Sequence, residues 1–244
     1  MQVCQRKHKC LVVIPALNEA ETITEVIAKI NESGYRNVVV VNDASDDLTA
    51  PIARAAGAMV ISLPERLGAW GALQTGIRFA IRKNYDTVVT LDADGQHPPE
   101  HIESLVSALY DGQANVVIGC FPQRGSKLRQ IAWHWIRNAS GIQLSDLTSG
   151  FRAYDGQAQR LVAGWRGSLL EYQDVGVLLL LQRHHLRVQD VNVTMTERRV
   201  GQSRIFYNWS VVAYYMLHTL LLSAAKRKVR RATSGNRMEG VDLT

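Results

Sequence analysis

The stretch DTVVTLDADGQHPPE, residues 86–100, runs from a β-branched apolar segment into two aspartates one residue apart, then a glycine, a glutamine, a histidine and two prolines. Its first part reads as a strand over 86–94, too apolar to face water on either side. Two consecutive prolines suit the first turn of a helix and not its interior, so a turn must separate the strand from whatever follows. Asp92 and Asp94 stand at that junction. In a strand, residues i and i+2 point to the same side, so the two carboxylates can share one cavity. Alone, the pair fits a solvated turn as well as a site for a hard cation, and its surroundings have to separate the two.

Working outward, strand-like and helix-like runs alternate. CLVVIP (10–15), NVVVVND (37–43), AMVISL (58–63) and ANVVIGC (114–120) are short, apolar and β-branched. Between them, EAETITEVIAKINESG (19–34) and PPEHIESLVSALYDG (98–112) carry apolar residues at helical spacing and stop on glycine. SDDLTAPIARAAG (45–57) opens with a capping serine, and GAWGALQTGIRFAIRKN (68–84) reads as helix despite its glycines. Farther on, DLTSGFRAY (146–154) reads as strand and turn, VGVLLLLQRHH (175–185) as a buried helix and LRVQDVNVTM (186–195) as a strand. This order implies an α/β fold with a mostly parallel, Rossmann-like sheet covered by helices on both faces. Ligands of such sheets sit beyond the carboxyl ends of the strands. Those ends carry Pro15, Asn18 and Glu19, then Asn42 and Asp43, then Asp92 and Asp94. Three strand ends bearing carboxylates or amides argue against a merely solvated turn.

The carboxylate pair suits Mg2+ or Mn2+, which take oxygen ligands and complete their shells with phosphate oxygens and water; Gln96 is a further oxygen donor. The 244 residues carry a formal net charge of +6, concentrated in RGSKLRQ (124–130), ERR (197–199) and KRKVRR (226–231). Basic clusters beside apolar helices fit an anionic lipid surface better than nucleic acid, whose readers interleave aromatic and basic residues. The segment 208–231 begins with aromatic residues, ends on basic ones and has too short an apolar run to span a bilayer, which reads as an amphipathic helix lying on a membrane. The expected organisation is one domain over 1–206, this helix over 207–231 and a tail over 232–244. With no secretory signal in view and three cysteines without metal-like spacing, we expect a reducing, cytoplasmic location, peripheral on the membrane.

Together VVIPALNEAETI, VVVVNDASDD, LDADGQHPPE, SGFRAY and RRVGQSR resemble the family 2 glycosyltransferases of the GT-A fold, in their polyprenyl- or dolichyl-phosphate sugar synthase-like branch. The resemblance covers roughly residues 10–206 and rests on the order and combination of the motifs. It implies an inverting transferase that moves a sugar from a nucleotide diphosphate sugar to a polyprenyl phosphate, with Mg2+ or Mn2+ as cofactor. By resemblance, Pro15, Asn18 and Glu19 border the nucleotide and Asp43 contacts its base or ribose. Asp94 and Gln96 are the better metal ligands, with Asp92 nearer the ribose and phosphates. Ser149 and Arg152 lie at the acceptor phosphate, while Arg198, Ser203 and Arg204 belong to a loop closing over the diphosphate.

A lipid phosphate is already ionised at neutral pH and needs positive charge, not a general base. The alternative acceptor, a glycan hydroxyl in surface polysaccharide or lipopolysaccharide synthesis, does need one, and Asp174 is the candidate. A non-catalytic nucleotide-binding module is the rival from another class, and a homo-oligomer is compatible with either. Trp70 stands where the family has a lysine; it cannot neutralise a phosphate but could stack on a ring. His97, ahead of two prolines, reads as a turn residue.

Overall fold

The computed structural model describes residues 7–121, 144–146, 149–170 and 175–194. The chain divides into two compact units, Met1–Arg124 with Leu144–Gly201 and Gly125–Gln143 with Gln202–Thr244; every described residue lies in the first. The expected C-terminal amphipathic helix, and with it Asp174, Arg198, Ser203 and Arg204, falls outside the described residues.

In chain order the elements are β1 (Cys10–Ala16), α1 (Ile23–Glu32), β2 (Val38–Asn42), α2 (Thr49–Ala55), β3 (Met59–Ser62), α3 (Gly68–Arg82) and β4 (Thr87–Thr90). A single 3-10 turn (Pro99–His101) leads into α4 (Ile102–Asp111), followed by β5 (Val116–Cys120), β6 (Arg152–Asp155), α5 (Gly156–Val162), α6 (Trp165–Ser168), α7 (Val175–Arg183) and β7 (Val188–Asn192). The seven strands form one sheet in the order β3-β2-β1-β4-β6-β5-β7. All neighbours run parallel except β6, which is antiparallel to both β4 and β5. This is the mostly parallel α/β sheet that the sequence reading expects.

β1 sits between β2 and β4, and Leu11 to Ile14 have no solvent exposure. Alternate residues serve opposite faces. Cys10, Val12 and Ile14 join a core with Ile23, Val26, Ile27 and Ile30 of α1 and Ile102, Leu105 and Val106 of α4. Val13 points the other way, against α3, and the contact is close: a Cβ on Gly76 would stand 2.3 Å from Val13 Cγ1. Gly76 is thus a packing glycine. One helical turn apart, Trp70, Gln74 and Arg78 reach from α3 to the α5–α6 segment. Trp70 Nε1 donates to Gly167 O (2.9 Å), Gln74 Nε2 to Val162 O (2.7 Å) and Arg78 Nε to Ala163 O (3.0 Å).

Among the boundaries that differ from the sequence reading, two bear on the site. β4 ends at Thr90, so Asp92 and Asp94 lie beyond the strand, Asp92 just ahead of the turn and Asp94 in it. The alternation persists past the last ladder bond: Leu91 and Ala93 are buried while Asp92 and Asp94 are partly exposed. Ser45 does not cap α2, which starts at Thr49 without a side-chain cap; its hydroxyl accepts from Asn18 N–H instead.

Because β1 cannot retreat from α3 without opening the sheet, Gly76→Ala should destabilise the fold by about 1–3 kcal/mol through overpacking. Urea unfolding checks this as a lowered midpoint with an unchanged slope.

Candidate active site

The strand order turns around at β1: β2 and β3 lie on one side of it, β4 on the other. Crevices outside such switch points take the ligands of open parallel sheets. Here the loops after β1, β2 and β4 share that edge, and they carry Asn18 and Glu19, Asp43, and Asp92 and Asp94. Pro15, half-buried near the end of β1, pairs with Val41.

The first two loops are laced together. Asn18 adopts φ +53°, a left-handed conformation that asparagine tolerates better than most residues. In that pose its N–H donates to Ser45 Oγ (3.0 Å) and its Oδ1 accepts from Asp46 N–H (2.8 Å). Glu19 N–H donates to Thr49 Oγ1 (2.8 Å), and Ala20 N–H to Asp47 Oδ2 (3.2 Å). Partial burial alone would raise the Asp47 carboxyl. Hydrogen bonds from the Thr49 hydroxyl and N–H and from Ala20 N–H outweigh it and hold the group below its usual value. Arg66 pairs with Asp46 at the exposed rim.

Asp43 is buried, 3 % exposed, and both its oxygens are used by the start of α3: Oδ1 accepts from Leu67 N–H (2.7 Å) and Oδ2 from Gly68 N–H (3.0 Å). It thereby satisfies two backbone donors at a helix N-terminus.

After β4, Gly95 turns the chain at φ +73° and Gln96 N–H donates to Asp94 Oδ1 (3.0 Å). Asp94 lines a cavity of about 370 Å³ between α1 and residues 94–100, together with Thr22, Glu25, Lys29 and His97. Asp92 faces the other motif: a Cβ on Gly150 would lie 3.2 and 3.3 Å from its two carboxylate oxygens. The reason is topological. β6 runs antiparallel beside β4 with Arg152 opposite Thr90, so residues 149–151, which precede it, arrive at the edge where β4 ends. Thr90 Oγ1 fastens the junction by donating to Gly150 O (2.7 Å). Ser149 is 1 % exposed; Arg152 is fully buried and its Nε donates to Ser149 O (2.8 Å).

Asp92, Asp94 and Gln96 follow one another at this edge and are partly exposed, the Asp92 side chain 46 % accessible, while the cavity beside α1 is lined by Asp94 and not by Asp92 or Gln96. Their oxygens fit a hard divalent cation that takes its remaining ligands from phosphate and water. Among the described residues no group of three or more His, Cys, Asp or Glu is placed to hold a metal ion. Cysteine chemistry has no place here. Burial pushes the Cys10 thiol far up and Cys120 up to about 11, the latter helped by Asp190 and Asp146.

The profile of glycosyl transferase family 2 matches residues 11–163. The chain belongs to that family. It is a glycosyltransferase, and its relatives fall in the polyprenyl-phosphate sugar synthase-like branch. It is 30 % identical over 214 residues to an undecaprenyl-phosphate mannosyltransferase of Micrococcus luteus, covering 81 % of this chain and 87 % of that protein. It is 25 % identical over 224 residues to a polyprenol monophosphomannose synthase of Mycolicibacterium smegmatis, covering 81 % of each. The fold matches a glucosyl-3-phosphoglycerate synthase of Mycobacterium tuberculosis, crystallised with Mn2+ and UDP-glucose, with TM-score 0.68, 23 % identity, and 91 % of this chain and 82 % of that one covered.

Within this family-2 site, Trp70 corrects the sequence reading. It is 4 % exposed and bonded through its indole N–H to Gly167 O, so it is not free to stack on a nucleotide ring. Asp146 went unnoticed in the sequence. It is fully buried three residues ahead of Ser149, at the start of the stretch read as strand and turn, where nothing in the residue pattern marked it. His97, read as a turn residue, is buried at 2 % exposure.

Gly150→Ala should crowd the Asp92 carboxylate and lower turnover roughly ten- to a hundredfold, the scale set by small misplacements in an active site, while leaving the urea midpoint nearly unchanged. For Asp47, a folded pKa below the unfolded one means stabilisation present above about pH 4 and lost as the pH falls through the folded value. Asp47→Ala should therefore be less stable than wild type at pH 7, with the two urea midpoints converging as the pH drops below about 4.

Proposed function

We propose that this glycosyltransferase transfers a sugar from a nucleoside diphosphate sugar to a polyprenyl phosphate, with inversion at the anomeric carbon and with Mg2+ or Mn2+ as cofactor. The observation that carries the reading is the meeting of two motifs at one edge: the Asp92–Asp94 turn, suited to a donor diphosphate, abuts the Ser149–Arg152 segment through Gly150. The named activities of the two bacterial relatives support the acceptor class, and the solved neighbour's Mn2+ and UDP-glucose support the donor and metal.

The assigned roles rest on the family motifs, and for the described residues their placement supports them. The laced loops around Asn18 and Glu19 wall the nucleotide pocket, and Asp43 faces the base or ribose while pinning the start of α3. Asp92, Asp94 and Gln96 would hold the cation, which would supply charge neutralisation for the departing diphosphate. Ser149 and Arg152 are assigned to the acceptor phosphate, and Arg152, fully buried, also holds Ser149 O through its Nε. Arg198, Ser203 and Arg204 are assigned to the diphosphate and acceptor phosphate, where planar guanidinium groups suit phosphate oxygens. A phosphate acceptor attacks as an anion, so the sugar changes partners without a side chain having to take a proton. Asp174 has no essential part in that reaction, whereas a hydroxyl acceptor would require a base.

No helix among the described residues is long and apolar enough to cross a membrane. We place the enzyme peripherally on the cytoplasmic face, held by the basic, amphipathic segment 207–231.

The test incubates the protein with purified polyprenyl phosphate, Mg2+ or Mn2+ and a panel of labelled UDP- and GDP-sugars. Label should enter an acid-labile lipid fraction, EDTA should abolish transfer, and Asp94→Ala should lower it by at least about a hundredfold, the scale of losing one charge-stabilising group. Label that appears only in polymer, and only while Asp174 is intact, overturns the lipid-phosphate reading.

A further inference from the structure

His97 lies outside every role assigned above, yet its surroundings are specific. Its ring is 2 % exposed and stacks on Phe151, the ring centroids 5.4 Å apart and the planes 23° from parallel. Its Nδ1 stands 3.3 Å from Asp92 N. A backbone amide can only donate, so Nδ1 accepts, and the neutral ring carries its proton on Nε2. That Nε2 is buried and has no hydrogen-bond partner among the described residues.

These facts pull in different directions for stability and for geometry. A buried N–H without an acceptor weakens the fold. A phenylalanine would fill the same slot, keep the stack on Phe151 and carry no orphaned donor. Stability alone therefore favours phenylalanine. What phenylalanine lacks, and an acceptor at this position supplies, is a fixed point for the backbone of Asp92, at the place where β4 has run out of ladder bonds and the turn has yet to begin. The same ring leans on Phe151, whose neighbour Gly150 abuts the Asp92 carboxylate. One imidazole thus touches both halves of the site.

We infer that His97 is a positioning residue: through its Nδ1 acceptor it sets the backbone of Asp92, and through its stack on Phe151 it registers the Asp92–Asp94 turn against the Ser149–Arg152 segment. It touches neither substrate nor cation. The inference rests on the reading of Asp92 and Asp94 as the cation- and diphosphate-binding turn.

Two substitutions separate its two functions. Asparagine places its Oδ1 near the position of Nδ1 and so preserves the acceptor without the ring. Phenylalanine preserves the ring without the acceptor. Mn2+ uptake is measured by the loss of the free-ion electron paramagnetic resonance signal, with UDP or GDP present, alongside the melting temperature of the metal-free protein. His97→Phe should melt at or above the wild-type temperature and bind Mn2+ ten- to a hundredfold more weakly, the range typical for losing an outer-shell partner. His97→Asn should bind within about threefold of wild type. Should His97→Phe not fold, His97→Gln serves the same comparison, because its amide reaches the position of Nε2 instead of Nδ1.

Equal Mn2+ affinity in the wild type and in the phenylalanine or glutamine variant overturns the inference and leaves the metal reading intact. Equal loss in the asparagine variant overturns the acceptor role. A wild-type protein that takes up no Mn2+ with either nucleotide overturns the metal reading, and the inference with it.

Discussion

The molecule is organised by the burial of β1. A strand with four consecutive residues sealed from solvent must satisfy every backbone group through its neighbours, and β2 and β4 do so from either side. Parallel pairing then obliges the three chains to leave the sheet at one edge. Side chains that would otherwise repel or dissolve separately, Asp43 and Asp92 and Asp94 among them, are brought to one rim because the hydrophobic strands beneath them have nowhere else to go. The helices complete the enclosure, with α1 and α4 on one face and α3 on the other, where Gly76 admits Val13.

A single antiparallel strand supplies the second half of the site. Were β6 parallel, its leading residues would enter from the opposite end of the sheet. Its reversal delivers Ser149 and Gly150 to the rim instead, and Thr90 ties the two strands where both motifs begin. The all-oxygen, half-exposed character of the rim suits a charge that arrives with its own ligands, a diphosphate carrying a cation.

Much of this was legible from residue order. Short β-branched runs between amphipathic stretches announce a parallel sheet because burial on both faces leaves no room for polar alternation, and the strands fall close to where those runs lie. The position of Asp92 and Asp94 at a strand end was legible for the same reason. What escaped was pairing at a distance. Ser45 looks like a helix cap because serine often is one, but its hydroxyl is taken by Asn18, 27 residues away. Trp70 looks available because its neighbours are small, yet its indole N–H is claimed by Gly167. His97 looks like loop because prolines follow it, while Phe151, 54 positions on, encloses it. Local pattern reports which residues are apolar; it does not report which carbonyl a polar hydrogen will find.

The row formed by Trp70, Gln74 and Arg78 carries a mechanical meaning. Three donors at successive turns of one helix grip carbonyls of Val162, Ala163 and Gly167, so the helix that begins beneath Asp43 is riveted to the segment that continues from β6. Shear between them would have to break all three grips at once, since a rigid helix distributes displacement along its length. The loop after β2 and the segment that follows β6 are therefore parts of one stiff frame, and a displacement at either end of α3 is felt at the other.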